Sequence, residues 1–276
     1  MSLFITSLNS GSNGNCYYIG NQTEAVLIDA GISCRETEKR MRLLGLSMKT
    51  VKAIFISHEH TDHIKGVPVI AERFSLPVYI TSSTLQGCSA IHPGSTKRLA
   101  AYEPVTIGGL VVTAFPKHHD AEDPHSFTVT GNGITIGIFT DIGASCEHVT
   151  SHFKKCHAAF LEANYDEELL ENGRYPYFLK NRIRSGKGHL SNTQALNIFT
   201  THRSSFLSHL FLSHLSKDNN CPTRAKELFE GCAGKIKIII ASRYEQTPLY
   251  KIQNIEDIGQ DFPVMSVSRP KQMSLF

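Results

Sequence analysis

The chain has 276 residues, 41% of them hydrophobic, and a formal net charge of +3. That is enough apolar material for one large core, and so small a charge excess neither requires nor excludes an anionic partner. No run reaches about 18 apolar residues, and Met1-Ser2-Leu3-Phe4 lacks the basic start and apolar stretch of a secretion signal, so a cytoplasmic protein with no membrane span is expected.

Phe4 to Leu8 reads as a short strand and Cys16 to Ile19 as a second, with the turn-rich Ser10-Gly11-Ser12-Asn13-Gly14-Asn15 between them. That loop is either a plain hairpin turn or a set of backbone N–H groups able to meet a phosphate, with Ser12 and Asn13 as candidate substrate contacts. Ala25 to Ile28 is a buried strand ending at Asp29, which either supports a nearby site or caps the following turn. Glu36 to Leu44 has helical periodicity and stops at Gly45. Val51 to Ile56 is again a buried strand. A helix is expected over Ile64 to Phe74, a strand at Val78 to Ile80, and a short helix capped by Thr81 or Ser82. Two hairpins follow: Val105 to Ile107 with Val111 to Phe115, and Phe127 to Thr130 with Ile134 to Phe139. Ala158 to Leu161 is a buried strand leading into Glu162-Ala163-Asn164. Thr193 to Thr201 is a helix, Phe206 to Leu212 a strand, Thr223 to Phe229 a helix, Ile236 to Ile240 a strand, and Leu249 to Ile252 an edge strand. Strands first, then strands alternating with helices, occur twice, which suits two sheets enclosed by helices. The seven cysteines are scattered and never spaced Cys-x-x-Cys, as free thiols of a reducing compartment are.

The chemistry concentrates in Ser57-His58-Glu59-His60-Thr61-Asp62-His63, directly after a strand. Clustered imidazoles need hydrogen-bond partners and repel when charged; a divalent metal removes both problems, since neutral His nitrogen and carboxylate oxygen are its ligands. On an extended run His58 and His60 face one side, and after a turn Asp62 and His63 can face a second point, which suits a pair of metals sharing one cavity. A solvated His-rich loop is the alternative. Of the adjacent His118 and His119 only one can point into such a cavity. Asp141, at the mouth of a strand, is placed to bridge two cations. Residues 174 to 187 carry Arg174, Lys180, Arg182, Arg184 and Lys187 without an acid, interleaved with Tyr175, Tyr177 and Phe178. This suits either a nucleic-acid strand, with Lys180 and Arg184 as contacts, or a solvated helix face with packed aromatics. His189 stands just before a helix capped by Ser191 or Asn192.

The ordered series Asp29, His58-Glu59-His60-Thr61-Asp62-His63, His119, Asp141 and His214 resembles the metallo-β-lactamase-fold hydrolases. Within them the chain most resembles the YycJ/WalJ (VicX) group, through Gly11 to Asn15, His119-Asp120-Ala121, Leu161 to Asn164, Gly188 to Asn192 and His214-Leu215-Ser216-Lys217. The resemblance implies an α+β, four-layer αββα sandwich as a single domain over 1–266, with a flexible tail over 267–276. It implies two divalent ions (zinc, manganese or iron), one held by His58, His60 and His119, the other by Asp62, His63 and His214, with Asp141 between them. It implies a metal-dependent phosphodiesterase, a nuclease degrading DNA from the 5′ end, with Asp62 orienting the water, His189 as general acid and Asn164 among the substrate contacts. The other activities implied by the fold are hydrolysis of a small ester, thioester or cyclic phosphodiester, and di-iron redox chemistry. Tyr165 departs from the family pattern, which has His there. The ending Gln272-Met273-Ser274-Leu275-Phe276 resembles the peptide that docks bacterial repair proteins on the sliding clamp; end-packing of Leu275 and Phe276 is the alternative.

Overall fold

The computed structural model describes residues 2–254. The domain boundary at 266 and the clamp-like ending lie outside the described residues. The strands are β1 (Leu3–Asn9), β2 (Cys16–Gly20), β3 (Ala25–Ile28), β4 (Val51–Phe55), β5 (Val78–Ile80), β6 (Thr96–Arg98), β7 (Val105–Ile107), β8 (Leu110–Pro116), β9 (His125–Gly131), β10 (Ile134–Phe139), β11 (Ala158–Glu162), β12 (His209–Ser213), β13 (Lys237–Ile240) and β14 (Tyr250–Ile252). The helices are α1 (Cys34–Leu43), α2 (Thr61–Ile64), α3 (Val67–Phe74), α4 (Ser82–Gln86), α5 (Glu147–Phe153), α6 (Glu167–Asn172), α7 (Tyr177–Arg184), α8 (Asn192–His202) and α9 (Pro222–Ala233). They build two seven-stranded mixed sheets, β14-β1-β2-β3-β4-β5-β6 and β13-β12-β11-β10-β9-β8-β7.

The continuous apolar runs are strands covered on both faces, and the two-residue period of the strand sorts their side chains. Tyr17, Ile19, Val26, Ile28, Ala53 and Phe55 point between the sheets, where they meet Phe127, Ile136, Phe160 and Phe211. Their neighbours Tyr18, Ala25, Leu27 and Ile54 point the other way, onto Met41, Val67 and Ile70 of α1 and α3. On the second sheet, Ala159, Leu161, Leu210 and Leu212 pack outward against Val149, Ile198, Phe199 and Phe229 of α5, α8 and α9. Three apolar seams between four layers make the αββα sandwich.

Local chemistry explains where expectation and structure part. The helix expected over Ile64 to Phe74 is two helices. Gly66 donates to the Ala30 carbonyl (2.8 Å), and a Cβ there would lie 2.0 Å from the Ile32 carbonyl oxygen, so the chain is pressed against the loop after β3 instead of continuing its helix. The strand expected from Phe206 begins at His209, because Leu207 closes a turn on Ser204 and the Phe206 ring packs beside His157, 4.4 Å between centroids. Helices α5 and α6 were not expected. Strand β6 was not either: Thr-Lys-Arg has no apolar alternation, and it forms a polar edge paired with β5. The cysteines are all unpaired, and among the described residues no helix is long and apolar enough to cross a membrane.

Phe160 lies at the centre of the inter-sheet seam, its ring 4.9 Å from Tyr17 and 4.4 Å from Phe211. Phe160→Ala should cost ~3–5 kcal/mol in urea unfolding, from lost transfer energy plus an uncollapsed cavity. Tyr177→Ala, at a ring 72% exposed, should stay within ~0.5 kcal/mol of the parent.

Candidate metal centre

Strands that run parallel in both sheets deliver the polar residues at their C-terminal ends. In the first sheet β3 runs into Asp29 and β4 into Ser57 to His63; in the second, parallel β10, β11 and β12 end in Asp141, Glu162 and His214. Strand β8 adds His119. Asp29 (φ 58°), Asp141 (φ 54°) and His214 (φ 56°) all take the left-handed conformation that non-glycine residues rarely adopt. Each strand thus ends abruptly and turns its next side chain into the seam, at a backbone cost of roughly 1–2 kcal/mol apiece. Gly31 completes the junction: a Cβ there would sit 1.7 Å from the Asp62 carbonyl oxygen.

Two ligand groups result. His58, His60 and His119 offer nitrogens within 4.8 Å of one another, and so do the side-chain atoms of Asp62, His63 and His214. Asp141 lies between the groups: its Oδ2 is 3.2 Å from His63 Nε2, and its Oδ1 is 3.4 Å from His214 Nε2 and 3.9 Å from His119 Nε2. The outer nitrogens are anchored. His58 Nδ1 bonds Ser57 Oγ (2.8 Å), which donates to Asp29 Oδ2 (2.8 Å). His63 Nδ1 donates to the same Asp29 oxygen (2.7 Å) and His119 Nδ1 to the Gly188 carbonyl (3.0 Å), while His214 Nδ1 lies 3.2 Å from Glu162 Oε1 and 3.1 Å from the Asn164 amide nitrogen. The bonds of His58, His63 and His119 assign their tautomers and aim each Nε2 lone pair inward. His118, by contrast, is exposed.

The donor set fits divalent cations. Asp141 Oδ2 is buried and, although close to His63, accepts no hydrogen bond of good geometry. A buried carboxylate oxygen in that state asks for a cation. Burial, reinforced by His63 and Lys117, drives the His58 pKa well below its ordinary value, and burial also takes His119 down to about 3 despite Asp141. Both rings are therefore neutral donors at neutral pH. Burial opposes charge on His63 and His214 too, but Asp141 with Asp29 and Asp62 raises His63 well above its ordinary value, and Asp141 with the bonds to Asp62 and Glu162 raises His214 to about 10. The same contacts overcome burial at the acids. His63 lowers Asp62, and His214 and His63 lower Asp141, both well below the carboxylate range; His189 lowers Glu162 to about 2. Without a metal, protons on His63 and His214 balance these carboxylates, and that is the positive charge a metal would replace.

His189 adjoins both groups. Its Nδ1 donates to Glu162 Oε1 (2.8 Å) and its side chain keeps 16% of its surface exposed. Glu162 was missed as a site residue. It is fully buried and also accepts the backbone N–H groups of Ile142 (2.7 Å) and Leu190 (3.2 Å). Its signal was an acid closing the apolar run Ala158 to Leu161. Asn15 was missed too: its Nδ2 donates to Asp62 Oδ2 (3.0 Å) and its backbone N–H to the Asp62 carbonyl (2.7 Å).

The candidate substrate contacts are scattered. Ser12 and Asn13 are exposed and meet Arg243. The loop's amides do not form an anion cradle, because those of Ser10, Gly11, Gly14 and Asn15 all donate inside the protein. Asn164 is buried and donates to the His214 carbonyl (2.8 Å), so it holds a candidate ligand instead of facing an open surface. Lys180 and Arg184 are engaged by Glu171 of α6. The cation of that segment that reaches the centre is Arg182, 2.6 Å from Asp120 Oδ2, whose other oxygen is 3.4 Å from His119 Nε2. Tyr165 is buried against Leu170 and Ile183.

Residues 24–214 match the model of the Beta-lactamase superfamily domain. The chain is 34% identical over 230 residues to Exodeoxyribonuclease YycJ of Bacillus anthracis, covering 82% of this chain and 87% of that protein. It is 29% identical over 219 residues to Exodeoxyribonuclease WalJ of Streptococcus pneumoniae, covering 77% and 81%. The metallo-beta-lactamase fold protein YhfI from Bacillus subtilis superimposes with a TM-score of 0.71 at 15% identity, covering 91% of this chain and 100% of that one, a likeness of fold.

The opposed histidine shifts set a pH optimum for the metal-free protein. Below the ordinary histidine value of 6.5, the unfolded chain takes up protons that buried His58 and His119 refuse, so stability is lost as pH falls. Above 6.5, folded His63 and His214 keep protons the unfolded chain sheds, so stability is lost as pH rises toward about 10. Chelator-stripped protein should show a thermal midpoint that peaks near pH 6.5. On the alkaline side His214 alone contributes ~1.4 kcal/mol per pH unit. Divalent metal should abolish the alkaline decline, which a melting series at pH 6–9.5 with and without metal checks.

Proposed function

Because the chain belongs to the beta-lactamase superfamily, and within it to the YycJ/WalJ family, we propose that it is a metal-dependent exodeoxyribonuclease that holds two divalent ions and degrades DNA from the 5′ end. The observation that carries this is the pair of three-residue ligand groups with Asp141 between them. In this reading His58, His60 and His119 hold one ion and Asp62, His63 and His214 the other, and zinc, manganese or iron suits such an imidazole and carboxylate set. When bound, such ions supply Lewis acidity toward a phosphodiester and a low-pKa water.

The chain's own residues do the rest. Asp62 keeps 23% of its side chain exposed and is steadied by Asn15, so it can orient the attacking water and accept its proton at Oδ1, the oxygen that does not face His63 and His214. His189, its Nδ1 held by Glu162, presents the opposite edge of its ring and delivers a proton from Nε2 to the leaving sugar oxygen. The surface of α7 supports a nucleic-acid substrate. Tyr177 and Phe178 are 72% and 74% exposed, beside the exposed cations Arg174, Arg182 and Lys187. Arg182 ties that helix to Asp120 at the centre.

His189→Ala should lower kcat on single-stranded DNA roughly 10²–10⁴-fold with metal content unchanged, and Asp62→Ala should abolish turnover with the fold intact by circular dichroism. Full turnover in either variant would remove the assigned role. Oligonucleotides labelled at one end or the other test polarity: early release of mononucleotide from the 5′ label is expected, and release from the 3′ label first overturns the direction.

A further inference from the structure

Beside the metal centre lies a second cavity of about 390 Å³, open to solvent, that the mechanism above does not use. Its wall includes Ser10, Leu215, Ser216, Lys217 and Arg243. Two contacts attach it to the centre. Ser10 Oγ accepts the backbone N–H of His214 (2.8 Å), and Leu215 to Lys217 continue directly from that residue.

The cavity is built and cationic. Arg243 Nη1 is buried and, among the described residues, has no hydrogen-bond partner; Nη2 reaches Ser12 Oγ at 3.3 Å. That nitrogen is shielded from solvent and does not itself face the open cavity; left unpaired it costs free energy, which a small turn of the side chain toward an oxyanion would recover, and the planar fork matches one. The segment is firmly held by its backbone, and Arg243 is among the residues lining the cavity. Asn13 Nδ2 donates to the Arg243 carbonyl (2.8 Å), Arg40 Nη2 to the Tyr244 carbonyl (2.9 Å), and Ser10 N–H to the Ser242 carbonyl (3.2 Å). Lys217 adds a second cation to the wall and Ser216 a hydroxyl, Glu245 is the acid among the lining residues, and Ser12, outside the wall, holds Arg243 Nη2.

We propose that this cavity is a phosphate subsite, in which Arg243 and Lys217 grip a phosphate of the substrate strand next to the one being cleaved. The proposal rests on the nuclease reading and adds to it a residue that positions the strand and is not a metal ligand. The nearby 10–14 loop then acts through the Ser12 and Asn13 side chains, which meet Arg243, and not through its backbone amides.

The test uses metal-loaded full-length protein and Arg243→Gln, with Arg243→Lys as the conservative partner. Steady-state kinetics are run on a single-stranded oligonucleotide and on bis(p-nitrophenyl) phosphate, a diester too small to reach both places. Arg243→Gln should lose at least roughly tenfold more kcat/KM on the oligonucleotide than on the small diester, mainly through KM, with partial rescue by lysine. Equal losses on both substrates, or none on either, overturn the subsite. A second arm does not depend on DNA cleavage: inorganic phosphate is titrated calorimetrically into both proteins. Loss of one phosphate site in Arg243→Gln supports the proposal, and unchanged stoichiometry and affinity overturn it. If the parent protein leaves DNA intact, the nuclease reading fails while this arm still decides the subsite.

Discussion

The structure depends on one buried charge. Asp141 is 2% exposed, and its carboxylate is ringed by His63, His119, His189 and His214. The other two carboxylates buried at this seam are satisfied by the protein: Asp29 by Ser57 and His63, Glu162 by two backbone amides and His189. Asp141 alone among these three keeps an oxygen that accepts nothing. An uncompensated carboxylate at such depth would cost several kcal/mol, so the site is arranged around a positive charge, whether protons on imidazole or metal.

Holding that charge in place uses both sheets. The core residues of the first sheet and those of the second interlock in the central seam, so the C-terminal ends of β4, β10 and β12 are fixed relative to one another before any side chain of the site is considered. The left-handed residues Asp29, Asp141 and His214 convert that fixed backbone into fixed side-chain directions. Their strain is tolerable because the strands behind them are paired on both sides. Lys117, fully buried with its pKa lowered by burial, anchors the same corner by donating to the Thr140 carbonyl (2.7 Å), just before Asp141.

Much of this was legible in the residues, and the reason is period. Strands buried on both faces appear as unbroken apolar runs, and most were read at nearly their observed limits, as with Ala25 to Ile28 and Ile134 to Phe139. The grouping of His58, His60, Asp62 and His63 followed from their spacing and Asp141 from its place at the mouth of a strand, whereas the choice of His119 over His118 and the inclusion of His214, far along the chain, came from resemblance. What escaped was whatever depends on contact across the fold. Nothing local to Gly66 says that its backbone meets Ile32, so one helix was expected where two exist. Nothing local to Asn164 says that it faces His214, and Lys180 and Arg184 looked like free cations because Glu171 precedes the basic stretch. Arg243 drew no notice because an arginine in a C-terminal loop carries no pattern at all.

The loop from Ser10 to Asn15 shows why a short polar turn can matter more than its composition suggests. At one end Asn15 fixes both the carbonyl and the carboxylate of Asp62; at the other Asn13 fixes the backbone of Arg243. The two contacts lie within three residues on a turn whose amides are mostly spent internally, so they cannot shift independently. Arg243 and Asp62 are thereby held in a fixed relation to each other. Precision of this kind comes from rigidity, not motion: the gain is the orientational freedom already given up when the chain folded.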